Sequence, residues 1–246
     1  MTTMRELSLF SGAGGGLLGT MLLGWRPIGY VEWDDYCQRV LRARIDDGYL
    51  PAAQIFGDIR AFVSDGYAAS YTGLVDVVTG GFPCQPFSTA GKRAGADDPR
   101  NMWPATLDVI RVVRPRYCFL ENVPGLLSSG YFGTILGDLA ESGYDVRWRV
   151  LSAAEVGAPH QRDRLFIVAN TASVRQSQSS ERFRFYSTES CVERGVWNGQ
   201  RVDQPATERV VDGVARQLDR LKSIGNGQVP PVVAAAWRLL TGDQQR

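Results

Sequence analysis

The segment that most constrains the fold lies near the start. "RELSLF" (Arg5–Phe10) is a short run of β character, "SGAGGG" (11–16) follows with four glycines, and "LLGTMLLG" (17–24) reads as a helix. Strand, glycine turn and helix in that order open a nucleotide-binding α/β sheet. The glycines let the chain turn tightly and approach a ligand, and the helix N-terminus then faces it.

Further strands are predicted at "PIGYVEW" (27–33), "LVDVVTGG" (74–81), "RYCFLEN" (116–122), "YDVRWRVL" (144–151) and "RLFIVAN" (164–170). Helices are expected at "DDYCQRVLRARI" and near 101–113 and 133–142. The alternation predicts an α/β fold, a Rossmann-like and mostly parallel sheet covered on both faces. From 171 to 209 the chain turns to Ser, Gln and Arg with almost no aliphatic periodicity, as in a surface segment or small lobe. Order returns in 210–246, where Pro230 and Pro231 suit the first turn of a closing helix. The expected division is therefore 1–170, 171–209 and 210–246, with the last part returning to the first.

At 246 residues, 44% apolar and 22% charged, the composition is that of a globular protein. A net charge of +1 neither proclaims nor excludes nucleic acid. Cys37, Cys84, Cys118 and Cys191 form no C-x-x-C pair, and there is a single His, so neither a metal site nor a disulfide scaffold is expected. No basic leader with a cleavage site and no apolar run near membrane length is present, which predicts a cytoplasmic protein with no membrane partner.

Phe10, Ser11, Gly12, Ala13, Gly14 and Gly15 are the candidate cofactor loop. Gly14-x-Gly16-x-x-Gly19 satisfies the dinucleotide fingerprint formally, with Glu32 as the acid for ribose hydroxyls, so the loop alone fits either a dinucleotide or S-adenosyl-methionine. Trp33 is suited to stack on adenine, or is a core aromatic. Asp58 in "FGDIR", next to Ile59, can accept from an adenine amino group, or is a helix N-cap.

Cys118 in an apolar strand and Cys37 in an amphipathic helix read as packing residues. Cys84, in "GGFPCQPFSTAGKRAG" (80–95), differs. It follows the carboxyl end of a strand, where open α/β sheets place their ligands, and Pro83 and Pro86 stiffen the backbone around it. That suits a nucleophile; a rigid turn with an incidental thiol is the alternative.

"GGFPCQPFS" resembles the cytosine-5 DNA methyltransferase family, whose nucleophilic cysteine lies in a Pro-Cys-Gln segment. In family order, "LSLFSGAGGG", "VEWDDYC", "GDI", "ENVPGLL", "GAPHQRDRLFIVA" and "GNGQVPPVV" are similar to its other motifs. The resemblance implies a class I S-adenosyl-methionine methyltransferase acting on a cytosine flipped out of duplex DNA, through an adduct at Cys84. It selects S-adenosyl-methionine over the dinucleotide. Glu121 then serves ring nitrogen 3, Asn122 organises the cysteine loop, Arg164 holds the cytosine carbonyl and Arg162 lies nearer the cysteine. Asn226 and Val229 bring the chain's end back to the cofactor, and Trp103 lines the cofactor pocket. Alternation on a strand puts Arg162 and Arg164 on one face.

His160 stands where the family has Gln and receives no catalytic role. Residues 85–100, with Lys92, Arg93 and Arg100, are expected to close over the extruded base. Residues 171–209, with Arg182 and Arg184 flanking Phe183, form a short DNA-recognition segment, although no convincing copy of the family's penultimate motif is found. The expected assembly is a monomer, with a cognate restriction endonuclease as a functional rather than physical partner. The rival readings are a DNA-binding relative with idle catalysis and a dinucleotide oxidoreductase.

Overall fold

A computed structural model of the chain describes residues 3–83, 101–171, 219 and 227–242. Seven strands form one sheet: β1 (Arg5–Leu9), β2 (Arg26–Val31), β3 (Gln54–Phe56), β4 (Val77–Gly80), β5 (Tyr117–Asn122), β6 (Tyr144–Leu151) and β7 (Arg164–Thr171), in the order β3-β2-β1-β4-β5-β7-β6. β1 to β5 pair in parallel, and β7 runs antiparallel between β5 and β6. The link from β6 to β7 holds only a 3-10 turn at Ala154–Val156, with no helix to carry the chain back across the sheet, so the two strands pair as antiparallel neighbours. The sheet is thus mostly parallel, as expected, with one reversed strand. β3 was not anticipated: "QIF" is too short and too exposed for an apolar run to mark it.

Both faces are covered, and period-two alternation sorts the side chains between them. Leu7, Leu9, Val78, Cys118, Leu120 and Ile167 join α3 (Ile59–Ser64), α4 (Trp103–Val113) and α5 (Phe132–Glu141) in one core. Val77, Tyr117, Phe119, Phe166 and Val168 join α6 (Pro230–Thr241) on the other face. On that side Leu17 of α1 (Gly15–Met21) packs with Tyr30 and with Leu41 of α2 (Asp35–Asp46). Cys37 and Cys118 are both buried and in no disulfide, as packing residues should be.

The closing helix is fixed by shape. A Cβ on Gly19 would sit 2.5 Å from Val233 Cβ, so only glycine lets α1 and α6 come this close. Trp237 on α6 then meets Trp25 at 4.6 Å and Tyr117 at 5.2 Å between ring centres, both edge to face. This docking carries residues 227–229, just before α6, back to the glycine loop.

Glu6, near the start of β1, is fully buried under α1. The Thr20 hydroxyl donates to Oε2 at 2.5 Å and the Thr79 hydroxyl to Oε1 at 2.6 Å. Burial pushes its carboxyl up to about 7, with the two hydroxyls pulling the other way.

Strand order reverses between β1 and β4: from β1 the chain builds outward to β2 and β3, and from β4 to β5. At such a switch point the carboxyl ends of adjacent strands leave a crevice. The loops after β1, β4 and β5 all open there.

Candidate active site

The first wall of the crevice is the glycine loop. Phe10 adopts φ +51°, a left-handed conformation rare outside glycine, and Gly12 and Gly14 follow at +56° and +92°. Glu32 sits just beyond β2, is 8% exposed, and accepts from Gly12 N at 2.6 Å and from Asp34 N at 2.7 Å. It therefore holds the loop in shape, and a carboxylate with about four lone-pair directions still has capacity for a ligand hydroxyl. Ser11 is tied down by its hydroxyl, which bonds Ser8 O at 3.0 Å, while Gly12 faces open space. Ala13 lies within the same turn.

Trp33 is 73% exposed at the mouth of the crevice, which removes the core-aromatic alternative. Asp58 is the N-cap of α3, accepting from Arg60 N at 2.8 Å. Ile59 is buried in the core, so it can offer a ligand only its backbone. Trp103 differs from expectation. It is 1% exposed, packs 5.4 Å from the Phe82 ring and donates its indole N–H to Asp138 at 2.7 Å, so it lies in the core beneath the site.

The second wall is built on β5 and β7. Glu121 is the penultimate residue of β5 and its one partly exposed position, and Arg164 Nε meets its Oε1 at 2.9 Å. Burial pushes the Glu121 carboxyl above its ordinary range, against the opposing pull of Arg164, Arg162 and Gln228. Arg162 converges on the same place, but not by strand alternation, because β7 begins only at Arg164. Its guanidinium donates to Gly227 O, and burial followed by the Arg164 charge lowers its pKa, with Glu121 opposing.

Asn122 is 3% exposed; its Nδ2 donates to Phe82 O at 3.0 Å and its Oδ1 accepts from Val123 N at 2.9 Å. It ties the end of β5 to the chain that leaves β4, two residues ahead of position 84. Cys84 itself lies outside the described residues, as do Lys92, Arg93, Arg100, Asn226 and the segment with Arg182 and Arg184. His160 is exposed.

The third wall is the strand-like approach to α6. Val229 is the N-cap residue of that helix and packs on the core below. Gln228, which sequence reasoning did not single out, lies between the other two walls. A Cβ on Gly15 would fall 2.5 Å from its backbone O, and one on Gly16 would fall 2.6 Å from its Oε1. Its Nε2 is 3.5 Å from Glu121 Oε2. The available signal was its place inside "GNGQV", a long amide flanked by residues already assigned to the cofactor side.

Among the described residues no cluster of three or more His, Cys, Asp or Glu could hold a metal ion, and no helix is long and apolar enough to cross a membrane. The strand order with its reversed β7, the glycine loop at the switch point and the acid after β2 define the class I S-adenosyl-methionine-dependent methyltransferase fold. Within that class the chain belongs to the C-5 cytosine-specific DNA methylase family, whose model matches residues 4–232. It is 38% identical over 183 residues to Type II methyltransferase M.AquIA of Picosynechococcus sp., covering 68% of this chain and 71% of that protein. To Type II methyltransferase M.NgoMIV of Neisseria gonorrhoeae it is 34% identical over 167 residues, covering 67% and 51%. The chain spans about half the length, or less, of most curated relatives it matches. The methyltransferase EhMeth of Entamoeba histolytica shares the fold, with a TM-score of 0.58 at 16% identity over 76% of this chain and 57% of that one.

Proposed function

We propose that the chain is a DNA (cytosine-5-)-methyltransferase, transferring a methyl group from S-adenosyl-methionine to carbon 5 of a cytosine flipped out of duplex DNA. One observation supports this above others. A buried carboxyl, Glu121, faces the crevice beside Arg164, while its neighbour Asn122 holds the chain leading to Cys84.

The residues present fit the cofactor. Gly12 faces open space beside the left-handed turn at Phe10, Glu32 offers an acid for ribose hydroxyls, and the exposed Trp33 ring offers a face for adenine. In this reading Phe10, Ser11, Gly12, Ala13, Gly14 and Gly15 line the methionine side, Asp58 and Ile59 the adenine side, and Asn226 and Val229 the closing side. S-adenosyl-methionine, when bound, supplies an electrophilic methyl group.

Carbon 5 of cytosine is too weak a nucleophile to take that group unaided. The Cys84 thiolate adds to carbon 6, and the electron pair released into the ring makes carbon 5 nucleophilic. Glu121, whose burial favours the protonated form, holds a proton at ring nitrogen 3 where negative charge develops. Arg164 orients Glu121 and holds the cytosine carbonyl, with Arg162 nearer Cys84. After transfer a base takes the carbon 5 proton, the pair returns to the ring, and Cys84 leaves as the thiolate.

The remaining assignments belong to the same reading. Residues 1–170 carry catalysis and cofactor, 171–209 read the DNA sequence, and 210–246 close the cofactor side. The protein acts as a cytoplasmic monomer on double-stranded DNA, with a restriction endonuclease as its functional partner.

The test is Cys84→Ser. Methyl transfer to mixed-sequence duplex DNA should vanish while calorimetric binding of S-adenosyl-methionine stays nearly unchanged. Duplex carrying 5-fluorocytosine should trap the wild-type protein covalently, since fluorine cannot leave as a proton does, and should not trap the variant. Turnover near the wild-type rate in Cys84→Ser, or binding of NADH in place of S-adenosyl-methionine, would overturn the assignment.

A further inference from the structure

Gln228 is enclosed by three glycines from two walls of the crevice. Gly15 lies against its backbone carbonyl and Gly16 against its side-chain oxygen. A Cβ on Gly81, just after β4, would fall 2.8 Å from Glu121 Oε2 and 3.0 Å from Gln228 Nε2, so the missing side chain is what leaves that gap open. The backbone beside Gln228 is fixed in turn by the Arg162 guanidinium on Gly227 O. A residue held this closely cannot move without moving the glycine loop.

The amide has a direction. Its oxygen end faces the glycine loop and its N–H end faces Glu121 Oε2, the carboxylate oxygen opposite the one Arg164 engages. At 3.5 Å the contact is long, at the outer limit of a hydrogen bond. An amide N–H can only donate, so this orientation matches a carboxylate and mismatches the hydroxyl side of a carboxylic acid.

We infer that Gln228 is a positioning residue for Glu121: its side-chain amide bridges the cofactor loop and the carboxyl, fixing one Glu121 oxygen as Arg164 fixes the other. Its importance for methyl transfer rests on the catalytic reading of Glu121 given above; its effect on the carboxyl does not. Among the described residues the charged groups acting on Glu121 are Arg164 and Arg162. Gln228 is the neutral member of the set and can be exchanged without altering either arginine.

The test follows the Glu121 side-chain carboxyl by carbon-13 NMR in the full chain labelled at glutamate, the signal being assigned by its loss in Glu121→Gln. If the amide acts as a donor, the titration midpoint should rise by about half to one pH unit in Gln228→Met, where the donor is gone and the volume is kept. It should rise further in Gln228→Glu and fall in Gln228→Lys, giving the order Lys, Gln, Met, Glu. Gly16→Ala, which displaces the amide from the loop side, should shift the midpoint in the wild-type background and leave it unmoved in Gln228→Ala. A role in packing alone gives no such ordering by charge and donor. Midpoints in the Met and Lys variants within about 0.2 of wild type would overturn the inference. Methyl transfer measured on the same proteins separates the two readings: wild-type rates in Glu121→Gln would remove the catalytic role of Glu121, while the titrations would still decide what Gln228 does to it.

Discussion

One buried and one largely buried glutamate, on parallel strands of one sheet, show how position along a strand decides the use of a charge. Glu6 lies toward the start of β1, sealed under α1, and its neighbours are the hydroxyls of Thr20 and Thr79. Glu121 lies at the carboxyl end of β5, where Arg164, Arg162 and Gln228 converge on it. Burial raises both carboxyls. At the closed site only hydroxyl donors oppose the burial, and they do not offset the desolvation of a full charge, so the carboxyl is pushed up to about 7. At the open edge two cations and the Gln228 amide oppose the burial, and the carboxyl stands raised beside a crevice that a ligand can enter.

The sharpest way to separate the two is to neutralise each in turn. Glu121→Gln keeps shape and hydrogen-bonding reach but cannot deliver a proton. Methyl transfer should fall by about 10²–10⁴-fold, with S-adenosyl-methionine binding little changed because Glu32 and the glycine loop are untouched. Glu6→Gln should leave the rate near wild type. A comparable loss of rate in both variants, measured by labelled methyl transfer, would mean that Glu121 is only another structural carboxyl.

This contrast was only half visible in the sequence. "ENVPGLL" directs attention to Glu121 through its resemblance to the family's Glu-Asn-Val motif, with the acid standing where a strand gives way to a loop. In "RELSLF", Glu6 alternates with Leu7 and Leu9, and although both faces of the sheet were expected to be covered, no local pattern marks this acid as fully buried. The long strands were legible from apolar runs, and α6 from its two prolines. The direction of β7 was not, because it depends on a short connection rather than on the strand's own residues. The pairing of Arg162 with Gly227, and the place of Gln228 between Gly16 and Glu121, join residues more than sixty positions apart. Only the docking of α6 on Gly19 brings them together, and no periodicity encodes that.

The second-largest effect concerns stability at Glu6. Its folded-state carboxyl titrates at about 7, against an ordinary value of 4.5. Between those values the folded chain keeps a proton that the unfolded chain has released, so stability falls as pH rises through this window and the loss is complete above it. The full span corresponds to on the order of 3 kcal/mol. Glu6→Gln removes the ionisation while its amide can accept from one threonine hydroxyl and donate to the other. Urea unfolding should therefore show the variant gaining little at pH 5 and up to about 3 kcal/mol at pH 8. An equal gain at both pH values would show that Glu6 is not the group that titrates.

The smallest effect is expected at Arg164→Met. Arg164 Nε meets Glu121 at 2.9 Å, but its side chain is 23% exposed and Glu121 can escape an unpaired charge by taking up a proton. With the guanidinium gone, the Glu121 carboxyl rises further above its ordinary range. The sign is then the same as for Glu6: below the unfolded-state value both forms are protonated and the substitution costs only its packing. As pH rises, wild type and variant both hold or lose this proton at a cost, and the cost is larger in the variant, whose carboxyl is raised further. Denaturation at pH 4 and pH 8 should show the penalty growing from near zero to about 1–2 kcal/mol. A penalty that is the same at both pH values would mean that Arg164 stabilises the fold by contact alone, and that the two cations do not set Glu121 apart from Glu6.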